Sequence, residues 1–222
     1  VGLSSNRSAI RLRTVSLAFA LQVTIGFVAL FTDWGIAALG AASNYVAVLL
    51  SYGRTGMEFM FGGLVGSSDS LGFIFAFSVL PVIIFFSSLI AVLYHARIMQ
   101  WMIRIMGGGL RAILHTSHTE SLSAAANVFV GQAEAPLVAR PYIPGMTRSE
   151  LFAVMVGGMA SIAGSVMAGY VALGVPLEYL LAASFMAAPG GLLMAKLMEP
   201  ETDTPAEPQQ GEKLTGEKYI NL

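Results

Sequence analysis

Hydrophobic positions run in long blocks along this chain. The first block, residues 14–38 ("TVSLAFALQVTIGFVALFTDWGIAA"), meets no charge before Asp33. About 20 helical residues at 1.5 Å each cross the hydrocarbon core of a bilayer, so the block predicts a transmembrane helix over about 14–38. Residues 41–67 are mixed and Gly-rich, with Arg54 and Glu58, and predict an outer loop with a short surface helix. Residues 71–94 ("LGFIFAFSVLPVIIFFSSLIAVLY") predict a second span, kinked by Pro81 near its middle. In 95–114 the pattern changes. Arg97, Arg104 and Arg111 recur every seven residues and share one helical face, while Met99, Trp101, Met102, Ile103 and Ile105 fill much of the rest. That pattern predicts an amphipathic helix lying in the membrane interface, broken or ended at Gly107-Gly108-Gly109. Residues 150–174 predict a helix dense in Gly, Ala and Ser, 176–199 a last span, and 200–222 a polar, Pro-containing solvated linker.

Composition supports the membrane reading. The chain is 55% hydrophobic and 11% charged, with a mean hydropathy of +0.71. Soluble domains carry about 25% charged residues. The expected class is therefore an all-α membrane protein, in which residues 1–70 hold the first span and an outer loop. A net charge of −1 argues against a nucleic-acid partner. The absence of cysteine excludes disulfides, cysteine zinc sites and a thiol nucleophile. There is no Walker motif, dinucleotide fingerprint or nucleophile–base pair, so neither an enzyme nor a cofactor is expected. The start, "VGLSSNRSAIRLRTV", is too polar for a signal peptide and reads as cut.

Residues 119–144 stand apart. Within "NVFVGQAEAPLVARP", Gln132 and Glu134 interrupt an apolar run beside Gly131 and Pro136. The segment is too short for two crossings of about 20 residues. With Arg7, Arg11 and Arg13 placed inside and 119–144 dipping in and out on one side, only Arg54 of the twelve Lys and Arg residues falls outside. The positive-inside rule favours that arrangement over a single crossing. The expectation is a re-entrant hairpin of two half-helices meeting at "VGQAEAP". Glu134 facing lipid would be costly, so an intramembrane carboxylate there points to function. Gln132 and Glu134 together can read the polar edge of a planar molecule. The plainer alternative places them in a solvent-exposed loop.

The following "GGMASIAGSVMAG" permits close helix packing through Gly157, Gly158, Ala160, Ser161, Gly164, Ser165 and Gly169. Alternatively "SIAGS" is locally unwound, so that its carbonyls and the Ser161 hydroxyl bind a cation; hard cations prefer oxygen ligands. The residues alone leave both readings open. His95, His115 and His118 flank the interfacial segment; loop histidines are the ordinary reading and a metal site the rarer one. The 12 methionines lie in apolar runs and read as packing.

The stretches "ESLSAAANVFVGQAEAPLVARPY", "MTRSELFAVMVGGMASIAGSVMAGY" and "LLAASFMAAPGGLLMAKLMEPET", with "GFIFAFSVLPVIIFFSSLIAVLY" upstream, resemble the concentrative nucleoside transporters over about residues 7–201. The resemblance implies nucleoside symport coupled to sodium, or in some members to protons, by a homotrimer. It also implies an elevator-type transport domain, built from two inverted halves that each contribute a re-entrant hairpin and a broken helix. The family tip G-Q-(T/S/A)-E is matched by Gly131, Gln132, Ala133 and Glu134. By that match Gln132 and Glu134 bond the nucleobase and Val166 packs against it. Sodium, the coupling ion, is held by Asn127, the Val130 carbonyl, Ser161 and the Ile162 carbonyl. Ala133 departs from the hydroxyl residue of many members, and "HTSHTESLS" replaces a Gly- and Ala-containing lead-in. The expected protein is the N-terminal half of such a transporter, multi-pass in a bacterial inner (plasma) membrane among lipid, with 200–222 leading toward a second half that would supply the ribose contacts. A rival reading is a non-transporting nucleoside-binding receptor or assembly subunit on the same scaffold. A channel with a re-entrant pore loop is disfavoured, because nothing supplies a ring-forming signature.

Overall fold

The computed structural model describes residues 4–65, 67–68, 72–131 and 135–205. Gln132, Ala133 and Glu134 lie outside the described residues. The architecture is helical: α1 (Leu12–Phe31), α2 (Asp33–Phe61), α3 (Phe75–Ser78), α4 (Leu80–His95), α5 (Ile98–Leu114), α6 (His118–Ala126), α7 (Ala135–Ala139), α8 (Arg148–Ala160), α9 (Gly164–Ala172) and α10 (Leu177–Met198). A two-residue antiparallel ladder, Ser67–Ser68 with Gly72–Phe73, closes the turn before α3. Among the described residues four helical stretches are long and apolar enough to cross a membrane: α1, α2 with its short 3-10 extension, α3 with α4, and α10.

The first 70 residues depart from the sequence expectation. In place of one span and a loop with a short surface helix, two long helices meet at Thr32. Its hydroxyl donates to the Val28 carbonyl at 2.6 Å and accepts from the Gly35 amide at 3.1 Å, closing α1 and capping α2. A Thr N-cap followed by Asp at the positive end of a helix is a start signal. It lies inside the apolar run, where hydropathy alone does not register a break. The sequence-based count of positive charges, which allotted one crossing to this region, therefore no longer bears on the 119–144 segment.

Pro81 does not kink the middle of a span. It sits in the first turn of α4, where a missing N–H costs nothing, and the chain turns just before it at buried Val79. Nor do the three glycines end α5, which runs on to Leu114 and stops where His115 enters the left-handed region at φ 54°. The buried face of α5, Met99, Ile103, Gly107, Leu110 and Leu114, packs on α6. A Cβ on Gly107 would lie 3.2 Å from the Leu122 Cα and from the Ser121 carbonyl, so glycine sets how closely the two helices approach.

The core gathers around α6. Residues 119–126 are all buried, and α6 packs against α5, α7, α8 and α10. Its composition explains this: Ala124, Ala125 and Ala126 offer small surfaces that neighbouring helices can approach. Of the four candidate spans α10 is the most buried, wedged between α1 and α8, whereas α1 and α2 leave most of their apolar surface outward. Such outward apolar surface suits lipid rather than water.

Candidate functional site

The site is where α6 and α8 end. Both begin with a capping box. Ser117 accepts from the Glu120 amide while the Glu120 carboxylate accepts from the Ser117 amide, and Thr147 and Glu150 repeat the pattern. Thr119 Oγ1 donates to Glu150 Oε1 at 2.7 Å, joining the two starts. Seven or eight residues on, Asn127 of α6 meets Gly157 of α8: a Cβ on Gly157 would lie 2.9 Å from Asn127 Nδ2. The helices therefore run side by side in the same direction, and their C-terminal ends converge. Helix C-termini expose carbonyl oxygens and carry partial negative charge, which suits a cation.

The break after α8 completes the arrangement. Ser161 is extended (φ −108°, ψ 156°), as is Ala163 (φ −61°, ψ 135°), and α9 restarts at Gly164. The helix is thus interrupted at 161–163, as the unwound reading of "SIAGS" expects, while Gly157, Gly164 and Gly169 also serve the close packing of the other reading. The hairpin presses into this interruption. A Cβ on Gly164 would stand 2.5 Å from the Phe129 carbonyl oxygen, and one on Gly131 would stand 3.1 Å from the Ala163 Cβ. Glycine at 164 is required because backbone, which cannot swing aside, occupies the space.

Asn127 is 2% exposed, and neither its Nδ2 nor its Oδ1 has a hydrogen-bond partner. Buried amides are almost always paired, because leaving one unmet costs about 1–3 kcal/mol. A buried carboxamide between two helix C-termini, with its oxygen unengaged, is a hard-cation donor in a region of negative partial charge. Of the other predicted ligands, Val130 is fully buried four residues beyond the last turn of α6. Ser161 is half-buried, its hydroxyl 3.5 Å from the Gly158 carbonyl, and Ile162 lies in the break beside it. Asn127 meets Gly157, and Phe129 and Gly131 meet Gly164 and Ala163, so Val130 and the 161–162 break lie in the two segments that approach each other. Val166, one turn into α9, is 38% exposed at the same end. Gln132 and Glu134 fall between Gly131 and Ala135, outside the described residues, so their geometry adds nothing to the sequence reading.

At the opposite end of α6 lies a polar cluster that sequence reasoning missed. Lys196 of α10 ion-pairs with Glu120, whose side chain is 1% exposed, and donates to Ser149 Oγ at 2.8 Å and Glu201 Oε2 at 3.4 Å. Thr147 Oγ1 donates to Glu201 Oε2 at 2.9 Å, and Ser149 Oγ to the Glu199 carbonyl at 2.6 Å. Arg148 pairs with Glu199 at 3.0 Å. Glu201 therefore folds back on the hairpin mouth, while Thr202, Asp203 and Thr204 stay exposed as a solvated linker would be; residues 206–222 lie outside the described residues. The capping motifs Ser-x-x-Glu and Thr-x-x-Glu were legible signals of the two helix starts. That Lys196 would join them was not, because it lies 76 residues from Glu120. Nearby, burial and then the Arg111 and Arg104 guanidiniums push the His118 imidazole below its ordinary value. Among the described residues no three His, Asp or Glu gather as a metal-binding group.

Comparison with known proteins converges on one family. Residues 1–64 match the family described as Na+ dependent nucleoside transporter N-terminus, and residues 76–177 match the gate family described as nucleoside recognition. An uncharacterized transporter of Haemophilus influenzae is 58% identical over 99% of this chain and 52% of its own length. The nucleoside permease NupC of Helicobacter pylori is 50% identical over 90% of this chain and 49% of its own. Human sodium/nucleoside cotransporter 1 is 40% identical over 99% of this chain and 33% of its own. CNTnw in an inward-facing substrate-bound state superposes with a TM-score of 0.90 at 57% identity, covering 93% of this chain and 50% of that one. The chain spans about half the length of its bacterial relatives. It belongs to the concentrative nucleoside transporter family, whose N-terminal half it represents.

Proposed function

We propose that this chain supplies the cation site and the base-reading tip of a nucleoside transporter driven by a sodium gradient. The observation that carries the reading is the buried, unpartnered carboxamide of Asn127, set where the ends of α6 and α8 converge. Sodium is taken as cargo with Asn127, the Val130 carbonyl, Ser161 and the Ile162 carbonyl as its oxygen ligands. Sodium fits better than a proton because Asn127 does not titrate, and an amide oxygen with carbonyls is a hard-cation donor set. The relatives named as sodium/nucleoside cotransporter and nucleoside permease support the same pairing of ion and substrate.

Binding order follows from where the groups sit. An ion at Asn127 ties the end of α6 to the break in α8. Phe129 and Gly131, already seated against Gly164 and Ala163, are thereby held in place, so that Gln132 and Glu134 beyond them meet a nucleobase that packs on Val166. The hairpin is read as re-entrant on length: α6 has 9 residues and α7 has 5. At 1.5 Å per residue neither exceeds about 14 Å, half a bilayer core or less. Elevator movement of this unit against a scaffold containing α1 and α2, an inverted second half, a homotrimeric assembly and an inner-membrane location complete the proposal.

The test is uptake of labelled uridine and adenosine by the full-length protein in proteoliposomes, with inward sodium, proton or no gradient. Uptake rising with the sodium gradient alone is the expected result, and Glu134→Gln is expected to weaken nucleoside binding at saturating sodium. Uptake indifferent to the sodium gradient overturns the coupling, and unchanged nucleoside affinity in the variant overturns the role of Glu134.

A further inference from the structure

Three polar residues, Thr119, Ser123 and Asn127, lie four apart along one face of α6, and all are nine-tenths or more buried. Thr119 is bonded to Glu150 and Asn127 faces Gly157. Since Glu150 and Gly157 mark the same face of α8, the strip between them, level with Ser123, belongs to the groove where the two helices touch. Ser123 is 1% exposed and its hydroxyl has no partner.

That orphan is unusual within this fold. Other helical hydroxyls find a partner, on their own helix or beyond it: Ser121 donates to the Ser117 carbonyl at 2.8 Å, Ser184 to that of Leu180 at 3.0 Å and Thr55 to that of Ser51 at 3.0 Å, while Thr119 and Ser149 reach Glu150 and the Glu199 carbonyl. Back-bonding is the default for such residues, yet Ser123 does not use it. The next three residues are alanines, and a fourth at 123 would avoid an unmet buried hydroxyl. A lone buried hydroxyl one turn from an orphaned carboxamide marks a shared missing partner. Sodium commonly keeps a water among its oxygen ligands, and a bridging water needs two or more polar partners.

We propose that Ser123 is a positioning residue of the coupling-cation site: it holds, through its hydroxyl, a water bound to the sodium ion on the side facing the hairpin mouth. The water donates to Ser123 Oγ, and its oxygen ligates the ion held at Asn127. This rests on the assignment of Asn127 as a cation ligand. It extends the site one turn along α6, toward the Thr119–Glu150 pair, beyond the ligands drawn from the tip and the break.

The experiment compares the full-length wild type with Ser123→Ala, Ser123→Cys and Ser123→Thr. Melting temperature is titrated with sodium chloride against choline chloride at constant ionic strength without nucleoside, and uptake is measured against sodium. Loss of the hydroxyl is expected to raise half-saturating sodium roughly five- to tenfold, the scale of one ordinary hydrogen bond between a hydroxyl and a water. Nucleoside half-saturation at saturating sodium stays unchanged. In choline the alanine variant melts no lower than wild type, because the hydroxyl it loses had no partner. The cysteine variant, similar in size but a poor acceptor, follows alanine, and the threonine variant keeps wild-type sodium activation. Equal sodium half-saturation in wild type and the alanine variant overturns the proposal, as does a melting loss of equal size in choline and in sodium, which marks a structural hydroxyl. A wild type whose melting and uptake both ignore sodium instead overturns the assignment of Asn127.

Discussion

Substituting Gly157 by alanine separates the fold from the site. Gly157 lies inside α8, so its backbone suits alanine, which is favoured over glycine in a helix by about 0.5–1 kcal/mol. The added Cβ would stand 2.9 Å from Asn127 Nδ2 and 4.0 Å from Cγ. The first distance is too short, but the group it meets is the end of a side chain that can turn. Since neither amide atom has a partner, turning it breaks no hydrogen bond. Folding stability without sodium is therefore expected to stay level or rise slightly. The ion loses a ligand group held in place, an interaction of about 1.5–3 kcal/mol for a bond to a charge, which corresponds to about a ten- to hundredfold rise in half-saturating sodium. The assay pairs melting of the purified full-length protein in choline with sodium-activated uridine uptake. Gly191→Ala is the control: its Cβ would stand 3.3 Å from the Gly157 Cα and 3.6 Å from the Ala160 Cβ, so α8 and α10 must part and stability falls. A Gly157→Ala protein that melts lower in choline yet keeps wild-type sodium activation would refute the reasoning, because Asn127 would then be packing and not ligand.

Two further outcomes concern the hairpin mouth. Lys196→Met leaves the Glu120 carboxylate buried without its cation and is expected to cost about 3–5 kcal/mol in melting or denaturant stability, with part restored by adding Glu120→Gln. Breaking the exposed Arg54–Glu58 pair should cost no more than about 0.5 kcal/mol, and equal losses at the two pairs would contradict the burial argument. The His118 imidazole, depressed below its ordinary value, binds a proton more readily unfolded than folded. Its contribution to stability is thus complete above the unfolded value of about 6.5 and is lost as pH falls below it. Melting followed from pH 7.5 to 5 should show His118→Gln losing less stability on acidification than wild type; parallel curves would exclude this histidine.

Much of the architecture was legible because hydropathy and length are local properties. The spans in α4 and α10 and the amphipathic pattern of α5 follow from runs of side chains that must meet lipid or an interface. The misreadings have a common cause. Thr32 and Pro81 sit inside apolar runs, where a helix boundary changes no hydropathy and only hydrogen bonds reveal it. The glycines of α5 looked like a terminator, yet Gly107 is there because α6 passes within contact of it. A helix tolerates glycine when a neighbour's packing repays the lost propensity.

By itself the sequence determined that the chain lives in a membrane, that its candidate site residues fall within 119–144 and 157–166, and which family it resembles. Tertiary structure decided that two short stretches 30 residues apart become parallel helices whose carbonyl ends converge, and that Asn127 is sealed there without a partner. It also decided that "SIAGS" is unwound, a question the small residues left open, with the hairpin backbone packed against Gly164 where the helix resumes. Burial and pairing are properties of what surrounds a side chain. Ser123 therefore looks like an ordinary helix residue in the sequence, and Asn127 is singled out there only by the family resemblance; that both are buried without a partner emerges only when α8 packs against them.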